Sequence, residues 1–326
     1  MFRIGTKDQQ KNGNNCEIKL YKHFKRFLIL LLGIFLFLLL GLSGFYLWLN
    51  NRSQPEPKTE ELFKGVKYIR DVRKNPRPLV LHILKIDLNN KNLEFLVTPP
   101  EFSKDHVLKA QTTSDFLLKN KLDIAINGDF FLPWHYNSLT DYYPHTGDPV
   151  SPNGIAISNG ISYAKKTVDK FSTLFIDMDN KFSFDSKPDL KNISNAISSK
   201  PMIMRSGKIE KDALNAEDHF YSRIHPRTAI ALDEKKQTLI ILVADGRQPG
   251  YAMGLTGIEI IIIMKEHGAS DIMNLDGGGS STLVISNGED KYLLLNSPIH
   301  HNIPGIERPV ANHFGIKILC KSSNCD

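Results

Sequence analysis

Cysteine is scarce in this chain, with three among 326 residues. Cys16 stands near the N-terminus, whereas Cys320 and Cys325 lie in a C-terminal tail (320–326) where a small-loop disulfide suits an oxidising compartment. Three cysteines are too few for a zinc site by themselves. No two histidines have the H-x-x-x-H spacing of a helical metal site. The glycine-rich stretch NLDGGGSS (274–281) lacks the lysine that completes a P-loop, and no G-x-S-x-G elbow of a serine hydrolase is present. There is no internal repeat and no second linker.

Basic charge is also missing where a nucleic-acid binder needs it. The formal net charge is +6, yet residues 1–26 alone carry a net +5, which leaves only +1 for the rest. No nucleic-acid partner is therefore expected. Directly after that basic tail comes a charge-free run of 23 residues (27–49). A bilayer core needs about 20 apolar residues in a helix, so this run is long enough to span. It exceeds the apolar core of about 7–15 residues in a cleavable signal, and Leu42-Ser43-Gly44 is a poor cleavage site. These features predict an uncleaved membrane anchor, with the basic tail cytoplasmic and the remainder periplasmic or extracellular. Residues 50–64, polar and interrupted by Pro55 and Pro57, read as a linker. Residues 65–319 then read as one exported domain.

Short strands dominate that domain. AISNGIS (156–162) carries an Asn-Gly hairpin signal, and STLFIDMDNKFSFD (172–185) turns at Asp179 and Asn180. TAIALDEKKQTLIILVA (228–244) pairs two apolar runs across a charged turn, and STLVISNGEDKYLLLN (281–296) repeats the device. LVLHILKID (79–87) and LEFLV (93–97) flank an Asn-rich turn. The isoleucine run 257–267 passes for a buried strand until its flanks are read. Thr256 and Glu259 make a capping box, and Gly268 suits a left-handed stop. A second helix is expected over 112–120, with its cap at Thr113 or Ser114. The predicted class is α+β, a hairpin-rich mixed β-sheet domain with one or two long helices, preceded by one transmembrane helix.

Five polar clusters stand at strand ends, where a rigid scaffold presents reactive groups. They are INGDFF (126–131), HPRTA (225–229), ADGRQPG (244–250), NLDGGGSS (274–281) and ERPVANHF (307–314). Singly, each reads as a turn or a surface ion pair. In combination and in this order, they resemble the hallmarks of the phosphodiester glycosidase family. The resemblance covers roughly 65–319, and NLDGGGSS is its most distinctive part. Asp129 departs from the pattern, at a position where relatives often have glycine.

The resemblance implies hydrolysis of a sugar-1-phosphodiester. Asp276 is the expected base or sugar ligand, with Glu307 as the second carboxylate of a glycosidase-like pair. Arg227 and Arg247 are suited to bidentate phosphate binding, and Asp245 is a further catalytic candidate. Gly277, Gly278 and Gly279 are expected to turn backbone N–H groups toward the substrate, with Ser280 and Ser281 adding hydroxyl donors. Asn127, Asp129, Thr228, Asn274 and Arg308 complete the expected substrate-binding set. No cofactor is expected, although the oxygen ligands Asp129 and Asp245 also suit Ca²⁺ or Mg²⁺. Two other readings stay open: a non-catalytic envelope protein that binds anionic glycopolymers, and a glycosyl transferase of exopolysaccharide assembly.

Overall fold

Three apolar runs of the domain need partners on both faces, and a sheet covered on both sides supplies them. In the computed structural model, Leu79–Asp87, Thr238–Ala244 and Arg227–Asp233 lie side by side within an eight-stranded sheet. The structure describes residues 7–101, 107–138, 141–164, 171–184, 189–211 and 222–320, with side chains from residue 20 onward. The sheet order is Lys58–Phe63, Val66–Arg73, Leu79–Asp87, Thr238–Ala244, Arg227–Asp233, Ala269–Asn274, Met202–Arg205 and Lys208–Ile209. Every ladder in it is antiparallel.

Alternate residues of the central strands serve different cores, as the two-residue period of a strand requires. Leu84, Ile86, Ile230, Leu232, Ile241 and Val243 face two five-stranded antiparallel sheets. One of these holds Leu93–Val97, Ile124–Asn127, Leu283–Ser286, Tyr292–Leu294 and His313–Ile318; the other is built around Ile193–Ser199. Leu81, Ile83, Ala229, Ala231, Ile240 and Leu242 face the opposite way, onto the helix Gly257–Glu266. Each leucine, isoleucine or valine among them contributes about 1.5–3 kcal/mol by leaving water.

The helix confirms the reading of its flanks. Thr256 and Glu259 form the capping box, and Ile260, Ile263 and Met264 are buried. Gly268 closes it at φ +96°. The second helix, Thr113–Lys119, lies within the span expected for it, with Thr112 as its cap in place of Thr113 or Ser114. Hairpins form at Asn159-Gly160, at Asn180 and across 233–238, as the sequence indicates. The Asn-rich turn at 89–90 is different, since Leu79–Asp87 and Leu93–Val97 belong to separate sheets. The α+β class holds.

The linker expected over 50–64 is shorter than its composition suggests. Lys58–Phe63 pairs with Val66–Arg73 through a turn at Gly65, and forms the sheet edge. Edge strands tolerate charged residues because one side faces solvent. The helix Lys7–Asn50 covers the apolar run and much of the basic tail. Its segment Leu20–Asn50, with mean hydropathy 2.8, is long and apolar enough to cross a membrane. The chain divides into compact units between Arg52 and Ser53. Cys320 is disulfide-bonded, while Cys325 lies outside the described residues.

Candidate active site

Antiparallel register brings three of the polar clusters to one end of the large sheet. Arg227 opens its strand opposite Ala244, which closes the next, and Ala229 lies opposite Asn274. Asp245 to Arg247 and Leu275 to Gly279 therefore leave the sheet on either side of the strand that Arg227 opens. They border a cleft of about 530 Å³. Arg227, Arg247, Arg308, Asn274, Asp276, Gly277 and Gly278 line one part of it, and Phe130, Trp134, Tyr136 and Tyr142 another.

Asp276 occupies the polar part. Its carboxylate accepts hydrogen bonds from the Gly277 amide at 2.8 Å and the Ser280 hydroxyl at 2.7 Å. Burial raises its pKa, against the opposing effects of Ser280, Arg308, the Gly277 amide and Arg247. A carboxylate has about four lone-pair sites, so capacity for a water or hydroxyl proton in the cleft remains.

Most amides of the glycine-rich loop already have partners within the protein. The amides of Gly277, Gly278, Ser280 and Ser281 donate within the protein, to Asp276, Pro226, Gly277 and Gly278 respectively. Two arginines instead lie against the loop. A Cβ on Gly278 would meet the Arg247 guanidinium at 2.9 Å, and one on Gly279 would meet that of Arg308 at 2.6 Å. Gly278 also has φ +63°. The run is bare so that two guanidinium groups can approach the backbone next to Asp276.

Those guanidinium groups are lightly committed. Among the described residues, that of Arg247 makes no hydrogen bond to protein. Arg308 makes two long ones, to Ser280 Oγ and His300 Nδ1, each 3.4 Å. Its charge also lies 5.7 Å from the Trp134 ring. Burial lowers the pKa of both arginines, yet a guanidinium stays charged. Arg227 differs, because it donates to the carbonyls of Leu255 (3.1 Å) and Arg223 (2.8 Å). It braces the cleft edge while keeping its charge there.

Several expected site residues lie beneath or outside the cleft lining. Asn127 donates to the Asp276 carbonyl at 2.7 Å and accepts from Thr228 Oγ1 and the Thr282 amide, so Asn127 and Thr228 fasten the loop from below. Ser281 is buried there too. Asp245 accepts from Asn296 Nδ2 (3.1 Å) and the Ser297 amide (2.8 Å), and pairs with His82 Nε2 (3.1 Å), itself bonded to Tyr68. That buried chain ties the start of the Arg247 loop to the segment after Leu295. Asp129 is fully buried, accepting the Gly154 amide at 2.7 Å, and burial raises its pKa well above the ordinary value. Glu307 accepts the Ser114 amide at 3.0 Å, at the start of the helix Thr113–Lys119. It is not the second carboxylate of the cleft. Asp276 is the carboxylate among the described lining residues.

Sequence reading missed the aromatic wall and left His225 and His301 outside the expected site. Trp134 and Tyr136 meet edge-on at 5.3 Å, and Tyr136 and Tyr142 lie 4.5 Å apart. His301 sits edge-on to Tyr142 at 4.6 Å. His225 also lines the cleft. Its pKa is pushed down to about 4, by burial first and then by Arg247, Arg227 and Arg223. The available signal was WHYNSLTDYY (134–143), which holds one of only two tryptophans in the chain.

Among the described residues, no group of three or more His, Cys, Asp or Glu side chains is placed to hold a metal ion. Asp129 and Asp245 sit in separate surroundings, each bonded to protein donors.

A family model for phosphodiester glycosidases matches residues 120–317, which carry Asp276, the glycine run and all three cleft arginines. The chain belongs to the phosphodiester glycosidase family. The catalytic domain of zebrafish N-acetylglucosamine-1-phosphodiester alpha-N-acetylglucosaminidase, auto-inhibited by its pro-peptide, is similar in fold. Its TM-score is 0.56 at 19% identity, over 82% of this chain and 85% of that one. A hypothetical protein from Synechocystis (TM-score 0.52, 13% identity) aligns over 81% of this chain, which spans only 64% of that protein. A putative exported protein from Burkholderia pseudomallei aligns at TM-score 0.52 and 14% identity, over 74% of each chain. No match was found among curated proteins.

Proposed function

We propose that this phosphodiester glycosidase hydrolyses a sugar-1-phosphodiester in envelope or extracellular glycans. The helix Leu20–Asn50 would anchor it in a membrane, with the basic N-terminus cytoplasmic. The observation that carries the reading is the placement of Asp276 beside Arg247 and Arg308 in a cleft with an aromatic wall.

The chemistry is set by the leaving group. The bond between the anomeric carbon and the phosphate oxygen breaks with its electron pair left on oxygen. Water adds to the carbon and loses a proton. A phosphate monoester has a second pKa of about 6, so it departs without the protonated acid that an alkoxide needs. Arg247 and Arg308 supply the developing charge with bidentate donors. Asp276 accepts the proton of the attacking water or holds a sugar hydroxyl. Trp134, Tyr136 and Tyr142 offer apolar faces to the sugar ring.

The test incubates the full chain, in detergent, with a panel of sugar-1-phosphodiesters, with and without chelator. Release of reducing sugar together with phosphate monoester supports the hydrolase. Product that forms only with an added sugar acceptor supports a transferase, and saturable binding without turnover supports a glycopolymer-binding protein. Either of these last two results overturns the proposal.

A further inference from the structure

Four neighbouring strands end in a row beside the cleft. In sheet order the row runs from Ala244, which leads to Arg247, through Arg227 and through Asn274, which leads to Asp276, to Met202, which follows Lys200. Register fixes it, because Arg227 lies opposite Ala244, Ala229 opposite Asn274 and Met202 opposite Met273. Asn274 is also tied to the outer strand. Its amide donates to the Pro201 carbonyl at 3.0 Å, and its Nδ2 donates to the Lys200 carbonyl at 2.9 Å. Three strand spacings separate the two ends of the row by about 14 Å. The Arg247 loop leaves from one end and Lys200 enters at the other, with the loop of Asp276 between them.

Lys200 is exposed. Among the described residues its ammonium has aromatic partners and no carboxylate partner. It lies 5.0 Å from the Phe171 ring and 6.0 Å from the Phe130 ring. Phe130 lines the cleft, so the ammonium stands at the cleft rim, drawn to the faces of two rings. A second group there is uncommitted. Asn274 lines the cleft, and its buried Oδ1 has no hydrogen-bond partner among the described residues.

We propose that Lys200 recognises a second negative charge on the sugar, so that the substrate is a sugar-1-phosphodiester of an acidic sugar. The inference rests on the hydrolase reading, which sets the phosphate against Arg247 and Arg308 and the anomeric carbon beside Asp276. The ring then extends away from the arginines, and along the row that direction leads past Asn274 to Lys200. Asn274 Oδ1 accepts a ring hydroxyl on the way. The far side of the ring, with its C6 substituent, arrives at Phe130 and Lys200. A C6 carboxylate, as in a uronic acid, or a phosphate on the C6 oxygen meets the ammonium there. A neutral hydroxymethyl group leaves it without an ionic partner. Lysine suits this task, because a flexible point charge does not impose the planar two-point geometry of arginine.

The experiment is calorimetric titration of the full chain, in detergent at low salt and pH 7. The ligands are the methyl phosphodiesters of glucose 1-phosphate and galactose 1-phosphate, each beside its uronic acid and its 6-phosphate counterpart. In at least one series an acidic form is expected to bind about three- to fivefold more tightly than its neutral parent, the scale of one exposed ion pair. Which acidic form gains distinguishes a carboxylate from a phosphate. Lys200→Gln should bring the ratio close to one, and Lys200→Arg should keep most of it. Salt at about 1 M, where the Debye length is about 3 Å, should shrink it. Ratios near one in both series, no binding by any acidic form, or a gain that Lys200→Gln leaves intact would overturn the inference. Hydrolysis of the neutral diesters without any acidic preference rejects this inference and leaves the hydrolase standing. An acidic preference that Lys200→Gln abolishes, without turnover of any ligand, keeps the charge recognition and rejects the hydrolase.

Discussion

Asp276 and Glu307 are both partly buried carboxyls whose pKa is raised by burial, yet they do opposite work. Asp276 faces a cleft, with Arg308 and Arg247 drawing its proton affinity down again. Glu307 turns toward the start of the helix Thr113–Lys119, where it accepts the Ser114 amide and meets the like charge of Asp115. A helix N-terminus is a ready partner for a carboxylate, so Glu307 is satisfied without any ligand. Arg308 is its immediate neighbour in sequence and points into the cleft instead. Partner geometry, and not residue type or strand-end position, separates the carboxyl that faces the cleft from the one that meets a helix start.

The largest effect that sharpens this contrast is on turnover. Asp276→Asn keeps the shape of the side chain and removes its base, and should lower kcat by about 10²–10⁴-fold. Glu307→Gln should leave kcat within about threefold and weaken the helix start by about 1 kcal/mol, read as a lower melting temperature. Next come the arginines. Arg247→Ala or Arg308→Ala should cost about 10²-fold in kcat, as for loss of one preorganised donor group. Arg227→Ala should cost less turnover and more thermal stability, since its N–H groups hold two carbonyls.

Gly278→Ala tests whether the bare loop serves the arginine. A non-glycine residue at φ +63° costs about 1–2 kcal/mol, and its Cβ would displace Arg247. About tenfold lower kcat/KM is expected, alongside normal folding by circular dichroism. Trp134→Ala should raise KM by about 2–10-fold, the range of one aromatic contact, and leave kcat nearly unchanged.

The smallest effect separates Asp129 from Asp276. The Asp129 carboxyl is raised well above its ordinary value by burial, so it binds its proton more tightly folded than unfolded. Its contribution to stability is complete below about pH 4, the unfolded value, and is lost as pH rises through the folded value. Asp129→Asn should remove that slope. Its melting temperature should exceed that of the parent by about 2–4 °C per kcal/mol at pH 7, and the gap should close toward pH 4.

The strands, hairpins and capped helix were legible because each rests on local signals: alternating burial, Asn-Gly turns and the Thr256–Glu259 box. The polar clusters were legible as strand ends, and antiparallel register explains why they converge. What the sequence hid was direction. Nothing local distinguishes Asp245, tied to His82 and Asn296, from Asp276, 31 positions later and also followed by glycine. The glycines were read as turning N–H groups toward a substrate, and the structure adds that Arg247 and Arg308 lie against Gly278 and Gly279. The aromatic wall was hidden for another reason. Trp134, Tyr136 and Tyr142 sit in short two-residue strands and loops, where no periodicity marks a face. The strand Lys58–Phe63 was missed because edge strands and linkers share polar composition.

The most direct measurement compares Asp276→Asn and Glu307→Gln side by side, each folded, on one sugar-1-phosphodiester that the parent chain hydrolyses. The expected result is loss of turnover in Asp276→Asn and near-parental turnover in Glu307→Gln. Near-parental turnover in Asp276→Asn, or its loss in Glu307→Gln, would contradict the placement of the reaction in the cleft of Asp276, Arg247 and Arg308.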